Sequence, residues 1–323
     1  MNNTYAIGFD IGGTKCAVIL GRIVDGDILV VSKRRFATSE AASPEDCLER
    51  MCREAGELTA AAGIGMEAVS GVGISCGGPL DSAAGVIQSP PNLPGWDNIP
   101  AASIVGGRLG LPARLENDAN ACALAEWKFG AGRGSRDMIF LTFGTGLGAG
   151  IISGGRLVSG HSGMAGECGH VRLAPDGPTG YGKAGSFEGF CSGGGIKRLA
   201  ERMMAEAKAA GRESALFNEP HLSARTVALA AKAGDALAKE VYNESARRLG
   251  QALAILIDLL NPEAIVIGSI YTRDTALFKE IAEDVIRNEA LPLSAGACRI
   301  LPAQLTERIG DIAALGLIAG TEV

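Results

Sequence analysis

Asp10-Ile11-Gly12-Gly13-Thr14-Lys15 decides how this chain is read. Residues 5–10 before the glycines and 15–20 after them are short apolar runs, so a strand–turn–strand is expected. Paired glycines let a backbone wrap an anion with its amides pointing inward. Thr14 adds a hydroxyl and Lys15 a cation. Asp10, at a strand end, is placed to hold Mg2+ directly or through water. Taken alone, the same six residues would also make a tight hairpin with a solvated lysine.

Outward from that turn, Asp25-Gly26 signals a hairpin, and 28–36 is expected as a third strand. Ser43-Pro44-Glu45-Asp46 starts a helix: Ser43 can cap it, Pro44 suits the first turn, and two carboxylates face the positive end of the dipole. Gly63 stops it, and 69–75 is a fourth strand. The pattern then recurs. A strand over 137–143 enters the glycine turn Gly144 to Gly148, and a strand returns over 150–152. Gly154-Gly155 turns into 156–158. Helices are expected near 195–210, 224–233, 235–260, 279–290 and 311–319, with strands at 263–267 and 299–302. Two copies of a three-stranded meander plus helix predict a duplicated α/β fold of two domains with a cleft between them.

Three further constellations could carry chemistry. Gly144-Thr145-Gly146-Leu147-Gly148-Ala149-Gly150 has the look of a dinucleotide fingerprint, but such a site needs a helix after the glycines, and here a strand follows. No Gly-Lys-Ser/Thr ending makes it a Walker A loop. A second phosphate-binding hairpin matching the first remains. Glu116-Asn117-Asp118-Ala119-Asn120 opens a helix reaching Phe129. Its carboxylates could be caps, or one could be a base for an alcohol attacking a phosphoryl group. Glu167-Cys168-Gly169-His170, with Glu188 further on, could ligate a metal or grip sugar hydroxyls, although a lone histidine is more often a structural hydrogen-bonder. His161 and His221 lack acidic neighbours at useful spacing and read as structural. His-Glu-x-x-His is absent, as is a Gly-x-Ser-x-Gly elbow. Gly77-Gly78-Pro79-Leu80-Asp81 and Pro91-Asn92-Leu93-Pro94-Gly95-Trp96 are loops, in which Asn92 could offer an amide to a polar ligand and Trp96 could anchor the loop.

Composition narrows the classes. The net charge is −6, and the longest basic cluster is Lys33-Arg34-Arg35, so nucleic acid is not expected as a partner. The longest uncharged stretch, 138–155, carries six glycines and makes a poor membrane span. The start, Met-Asn-Asn-Thr-Tyr, has no basic region or cleavage signature, so a cytoplasmic protein is expected. The eight cysteines contain no Cys-x-x-Cys and read as reduced core thiols. Glycine is in excess, 46 of 323 residues against an ordinary share of ~7%. Eighteen of them fall within 144–195, which suggests backbone approaching a ligand there.

In order along the chain, the sequence resembles the ROK family (repressors, open reading frames and kinases). The matching segments are 10–15, 77–80, 92–96, 116–120, 144–150, Gly166-Glu-Cys-Gly-His170 and Asn261-Pro-Glu-Ala-Ile-Val-Ile-Gly268. The resemblance covers nearly the whole chain. It implies an α/β actin-like ATPase (ribonuclease H-like) fold, which we divide into a small domain of 1–116 plus 309–323 and a large domain of 117–308. It implies ATP- and Mg2+-dependent phosphorylation of a sugar hydroxyl, usually the 6-hydroxyl of a hexose, as in glucokinases and fructokinases, and commonly a homodimer. Carried over by position, Asp118 would be the general base. Gly78, Asn92, Asn117, Asp118, Glu167, His170 and Glu188 would hold the sugar. Asp10 would belong to the Mg2+–phosphate site with Gly12, Gly13, Thr14, Lys15, Gly144, Thr145 and Gly146, and Gly268 would lie near the adenosine. A kinase for an amino sugar, cyclitol or glycoside is an alternative. So is a sugar-sensing regulator, although the hairpin at Asp10 leaves no room before it for a DNA-binding domain.

Two departures stand out. The family usually carries Cys-x-Cys-Gly-x-x-Gly-Cys-Leu-Glu after the Gly-His pair and binds structural zinc there. Here Thr179, Tyr181 and Ser186 replace the three cysteines. No zinc is therefore expected; His170 is assigned to the sugar, and Tyr181 and Phe187 are expected to hold the loop by packing. After Gly268 the chain has Ser269-Ile270 where further glycines are common, which would reshape the nucleotide wall.

Overall fold

The computed structural model describes residues 4–319. Residues 1–3 of the start, and 320–323 of the terminal segment 309–323, lie outside the described residues. In chain order come β1 (Thr4–Ile11), β2 (Lys15–Val24), β3 (Asp27–Ala37), α1 (Pro44–Ala61) and β4 (Val69–Cys76). The short pair β5 (Leu80–Asp81) and β6 (Val86–Ile87) precedes α2 (Ala101–Leu109), β7 (Ala113–Asn117) and α3 (Asp118–Phe129). Then follow β8 (Met138–Leu141), β9 (Ala149–Ser153), β10 (Arg156–Leu157), β11 (Thr179–Gly180), β12 (Lys183–Ala184), α4 (Phe187–Phe190), α5 (Gly193–Ala209), α6 (Ala224–Lys232) and α7 (Ala236–Leu260). The chain ends with β13 (Ala264–Ile267), α8 (Ser269–Glu289), α9 (Pro292–Ala297), β14 (Arg299–Pro302) and α10 (Ile309–Ala319).

The duplication expected from the sequence is present in the sheets. The first is ordered β3-β2-β1-β4-β7 and the second β10-β9-β8-β13-β14. In each, the strand before the glycine turn (β1 or β8) pairs antiparallel with the strand after it and parallel with a later strand. The chain parts into two compact units. Among the described residues, one holds 4–134, Leu157–Ala165 and 307–319, and the other holds Ser135–Arg156 and Gly166–Thr306. Helix α3 lies in the first unit, where it packs on α10.

Local chemistry explains the elements that position the site. Asp25 and Gly26 both take positive φ, 50° and 81°, as a two-residue hairpin turn requires. Ser43 accepts from the Asp46 amide at 3.2 Å and caps α1, with Pro44 in the first turn. The basic cluster is tied into the fold, since Lys33 pairs with Asp311 and Arg34 with Glu57. Some of the glycine excess serves packing. A Cβ on Gly73 of β4 would sit 1.9 Å from the Ala314 carbonyl oxygen, so glycine lets α10 lie directly on the sheet. In the second unit, all of β8 and β13 is buried, and Phe278 of α8 meets Phe143, Tyr242 and Tyr271 at ring separations of 5.2, 5.3 and 5.9 Å.

The structure differs from expectation at three places. Helix α8 begins at Ser269, ten residues before the expected 279, and a kink at Asp274 breaks the apolar period in between. Strand β7 went unread because its five residues offer a single buried side chain, Leu115. Helix α2 was hidden by two glycines and a weak apolar period. No described helix is long and apolar enough to cross a membrane.

Candidate active site

In the first unit, the parallel strands β1, β4 and β7 end side by side. Ile11 is in register with Cys76, and Cys76 with Asn117. Their ends therefore gather the Gly12–Lys15 turn, Gly77-Gly78 and Asn117-Asp118. The Gly12 amide donates to the Lys15 carbonyl at 3.1 Å and closes the turn. A Cβ on Gly13 would lie 2.2 Å from the Asn92 carbonyl oxygen, so the second loop packs directly on the hairpin. The Asn92 side chain lies about 3.5 Å from where a Gly77 Cβ would be, and the Asn117 amide nitrogen 3.2 Å from that of Gly78. Gly13, Thr14, Lys15 and Asn92 are exposed, as a ligand-facing edge requires.

Asp10 lies at the end of β1, half-buried, beside the start of α10, where a Gly310 Cβ would come 3.4 Å from its Oδ2. Burial holds its carboxyl above the ordinary range, with Lys33 the main opposing charge and Asp311 adding to the rise. Among the described residues no group of three or more His, Cys, Asp or Glu is placed to hold a metal. Asp10 offers hard oxygen donors without a surrounding cage. That suits Mg2+, which keeps most of its waters and takes one or two carboxylates plus phosphate oxygens.

The residues 116–120 divide their roles. Glu116 Oε1 accepts from the Asn117 amide (2.9 Å), the Asn120 side chain (3.0 Å) and Ser82 (3.0 Å), so it braces the loop. Asn117 caps α3, accepting from the Ala119 and Asn120 amides at 2.9 and 3.3 Å. Asp118 is exposed at the first helical position and accepts from the Ala119 amide at 2.8 Å. Its charge adds to the burial that pushes the Cys76 and Cys122 thiols up.

In the second unit, the Gly144–Gly148 turn has its own frame. Gly144 donates to Gly146 at 2.9 Å, and Gly148 to the Thr142 hydroxyl at 2.9 Å. Glu188 Oε2 accepts from the Leu147 amide at 3.0 Å, so one carboxylate oxygen supports this turn. The first residue of α5, Gly193, donates to the Gly144 carbonyl at 2.8 Å, and Ser192 caps that helix. Gly268 and Ser269 adjoin: a Cβ on Gly144 would lie 3.5 Å from Ser269 Oγ, and Ile270 donates to the Phe143 carbonyl at 3.1 Å. Thr145 is exposed at the tip.

The turn holding Glu167 and His170 borders Glu188, since a Gly169 Cβ would lie 3.5 Å from the Glu188 Cβ. Glu167 is exposed, and the His170 ring meets Tyr181 edge-on at 5.3 Å. The loop lacking cysteines is fastened in several ways. Strands β11 and β12 pair, Lys183 donates to the His170 carbonyl at 2.7 Å, and Phe187 is buried and donates its amide to Val171 at 2.8 Å. Tyr181 contributes only its edge contact and stays 67% exposed. The nearest thiol in sequence, Cys168, is pushed up to about 12 by burial, with Glu167 adding to the rise, and is a poor thiolate ligand. Elemental analysis of the purified chain should find only trace zinc; stoichiometric zinc would overturn this reading.

The sequence did not single out Lys33, Asp311 or Ser192 as supports of these two clusters, nor Thr38, whose hydroxyl donates to the Gly12 carbonyl at 2.6 Å. Lys33 and Asp311 are 278 positions apart, so only the fold joins them.

The ROK family model matches residues 6–320. The chain belongs to the ROK family. Among ROK relatives, it is 37% identical over 266 residues to a glucokinase of Streptomyces coelicolor, covering 81% of this chain and 80% of the relative. Its structure is similar to that of a ROK family glucokinase from Streptomyces griseus in complex with glucose and AMPPNP. That likeness has TM-score 0.71 and 32% identity, over 98% and 99% of the two chains. It also resembles a ROK family transcriptional regulator homologous to the Mlc protein of E. coli. There the TM-score is 0.85 and the identity 27%, over 98% of this chain and 77% of the regulator. ROK membership carries with it the actin-like ATPase fold.

Proposed function

We propose that this chain is an ATP-dependent sugar kinase that transfers the γ-phosphoryl group to a hexose hydroxyl, the 6-hydroxyl in the first instance. The observation that carries the reading is Asp118, exposed at the start of α3 beside Asn117 and Gly78, in a chain with two equivalent glycine hairpins. The likeness to glucokinases supports ATP and a hexose as substrates.

Asp118 accepts the proton of the attacking hydroxyl as the phosphoryl group transfers in line. Asn117 and Asn92 are assigned to the sugar, as, from the likeness to the family, are Glu167, His170 and the second oxygen of Glu188. Amides of the Gly12–Lys15 and Gly144–Gly146 turns, with Thr14, Lys15 and Thr145, take up charge on the phosphates. Gly268 and Ser269 form the adenosine wall. Asp10 would hold Mg2+ through its oxygens, and the ion would supply positive charge to the phosphate oxygens. Zinc has no part in this scheme.

A panel of hexoses, amino sugars, cyclitols and glycosides with ATP and Mg2+, read by ADP release, tests the proposal. At least one sugar should give ADP well above the no-sugar rate. The likeness to a transcriptional regulator favours a second reading, a sugar-responsive module without catalysis. Sugar binding with no ADP release across the panel, together with DNA retardation, would favour that one.

A further inference from the structure

We propose that Cys16 and Cys47 form a redox-responsive dithiol that closes to a disulfide under peroxide and weakens phosphate binding at the neighbouring Gly12–Lys15 hairpin. The disulfide stands on the sulfur–sulfur contact and the chemistry of the two thiols, while its effect on ATP rests on the kinase reading above.

Cys16 follows Lys15 directly in β2, and Cys47 lies in the first turn of α1. Their sulfurs are 3.7 Å apart, and both residues are buried. Among the described residues they are the one pair of thiols in hydrogen-bond contact. The contact continues to the hairpin. Cys16 Sγ lies 3.5 Å from the Thr38 hydroxyl, which donates to the Gly12 carbonyl at 2.6 Å. The Thr38 amide donates to the Thr14 carbonyl at 3.0 Å. A thiol on α1 is thus connected to the hairpin backbone through one sulfur and one hydroxyl.

The chemistry favours this pair over the other six cysteines. The Cys47 thiol holds Cys16 below its ordinary range against the burial that opposes it. The same sharing pushes Cys47 up. Burial raises Cys52 and Cys298 to about 11. The thiolate is the nucleophile, so of the two sulfurs in contact Cys16 supplies the attacking one. Its sulfur attacks one oxygen of hydrogen peroxide, the S–O bond forms, the O–O bond breaks, and hydroxide leaves and is protonated to water. The Cys47 sulfur then attacks the sulfenic sulfur, forming S–S as the S–O bond breaks. The departing hydroxide takes the Cys47 proton as a second water. The two thiols lose two electrons, and peroxide gains them.

A disulfide needs sulfurs ~2.05 Å apart, so closure moves them together by roughly 1.7 Å. The two side chains turn toward each other, and any pull on the start of β2 passes straight to Lys15, which precedes Cys16 in the same strand. Misaligning one hairpin amide would lose one hydrogen bond to a charged phosphate, roughly tenfold in affinity, so a rise of about tenfold in the KM for ATP is expected.

The test treats the full chain with hydrogen peroxide and maps cysteines by mass spectrometry under non-reducing conditions. The Cys16–Cys47 cross-link should form before any other cysteine is modified, more slowly with Mg-ATP present, and dithiothreitol should reverse it. The KM for ATP should rise about tenfold on oxidation and recover on reduction. Cys47→Ser and Cys47→Ala should keep the reduced KM and lose the shift. Modification of another cysteine first, or a cross-link that leaves the KM unchanged, would overturn the proposal. The mass map needs no turnover. A chain that forms the link yet phosphorylates no sugar would sink the kinase reading and leave the dithiol standing.

Discussion

Asp118→Asn should lower kcat with the preferred sugar by on the order of 10²–10⁴, the usual range for losing a general base. Asn keeps a side-chain oxygen where Asp118 accepts from the Ala119 amide at 2.8 Å, so the first turn of α3 retains that acceptor. The cap proper comes from Asn117, which is untouched. The helix should therefore fold, and the ATP KM should stay near that of the parent chain, because phosphate contacts are assigned to other residues. What is lost is the acceptor for the hydroxyl proton, which matters near the transition state and little before it. Steady-state kinetics with circular dichroism as a fold control check this. A kcat within about threefold of the parent would remove Asp118 from that role.

Phe278→Ala should destabilise the second unit by about 3–5 kcal/mol, the cost of emptying a large buried aromatic site. Phe278 is fully buried, and its ring touches three other aromatic rings. One of them, Phe143, precedes Gly144 and has a φ of 35°, a left-handed conformation that the surrounding packing must hold. The cavity would therefore loosen the Gly144–Gly148 turn as well as the core. Urea unfolding followed by fluorescence should show the loss, and the KM for ATP should rise in the folded variant. A change below about 1 kcal/mol would contradict the packing described.

The parts of the fold legible in the sequence were those fixed by local chemistry. Gly12-Gly13 and Gly144 to Gly148 announced turns because the flanking runs were apolar, and Ser43-Pro44 announced α1 because a cap needs only its own neighbours. Strand β7 was not legible, since its pairing with β4 comes from 41 positions away in the register Val72↔Ala113. The site was legible in its residue types and less so in its division of labour. Glu116 and Glu188 read as candidate functional carboxylates. In the structure, Glu116 braces a loop through Ser82 and Asn120, and one oxygen of Glu188 holds the Leu147 amide. Those partners lie 34, 4 and 41 residues away, beyond any local pattern except the helical one. The glycine excess also divides. Gly13 and Gly144 serve the hairpins, whereas Gly73 serves the contact with α10.

Transfer of a phosphoryl group from ATP to a sugar hydroxyl is tested most directly by 31P–1H correlation NMR of the product formed from ATP, Mg2+ and glucose by the purified chain. A phosphate monoester coupled to the two C6 protons is expected, appearing in step with ADP. ADP formed with free inorganic phosphate and no sugar ester, or no ADP with glucose or any other sugar of the panel, would contradict it.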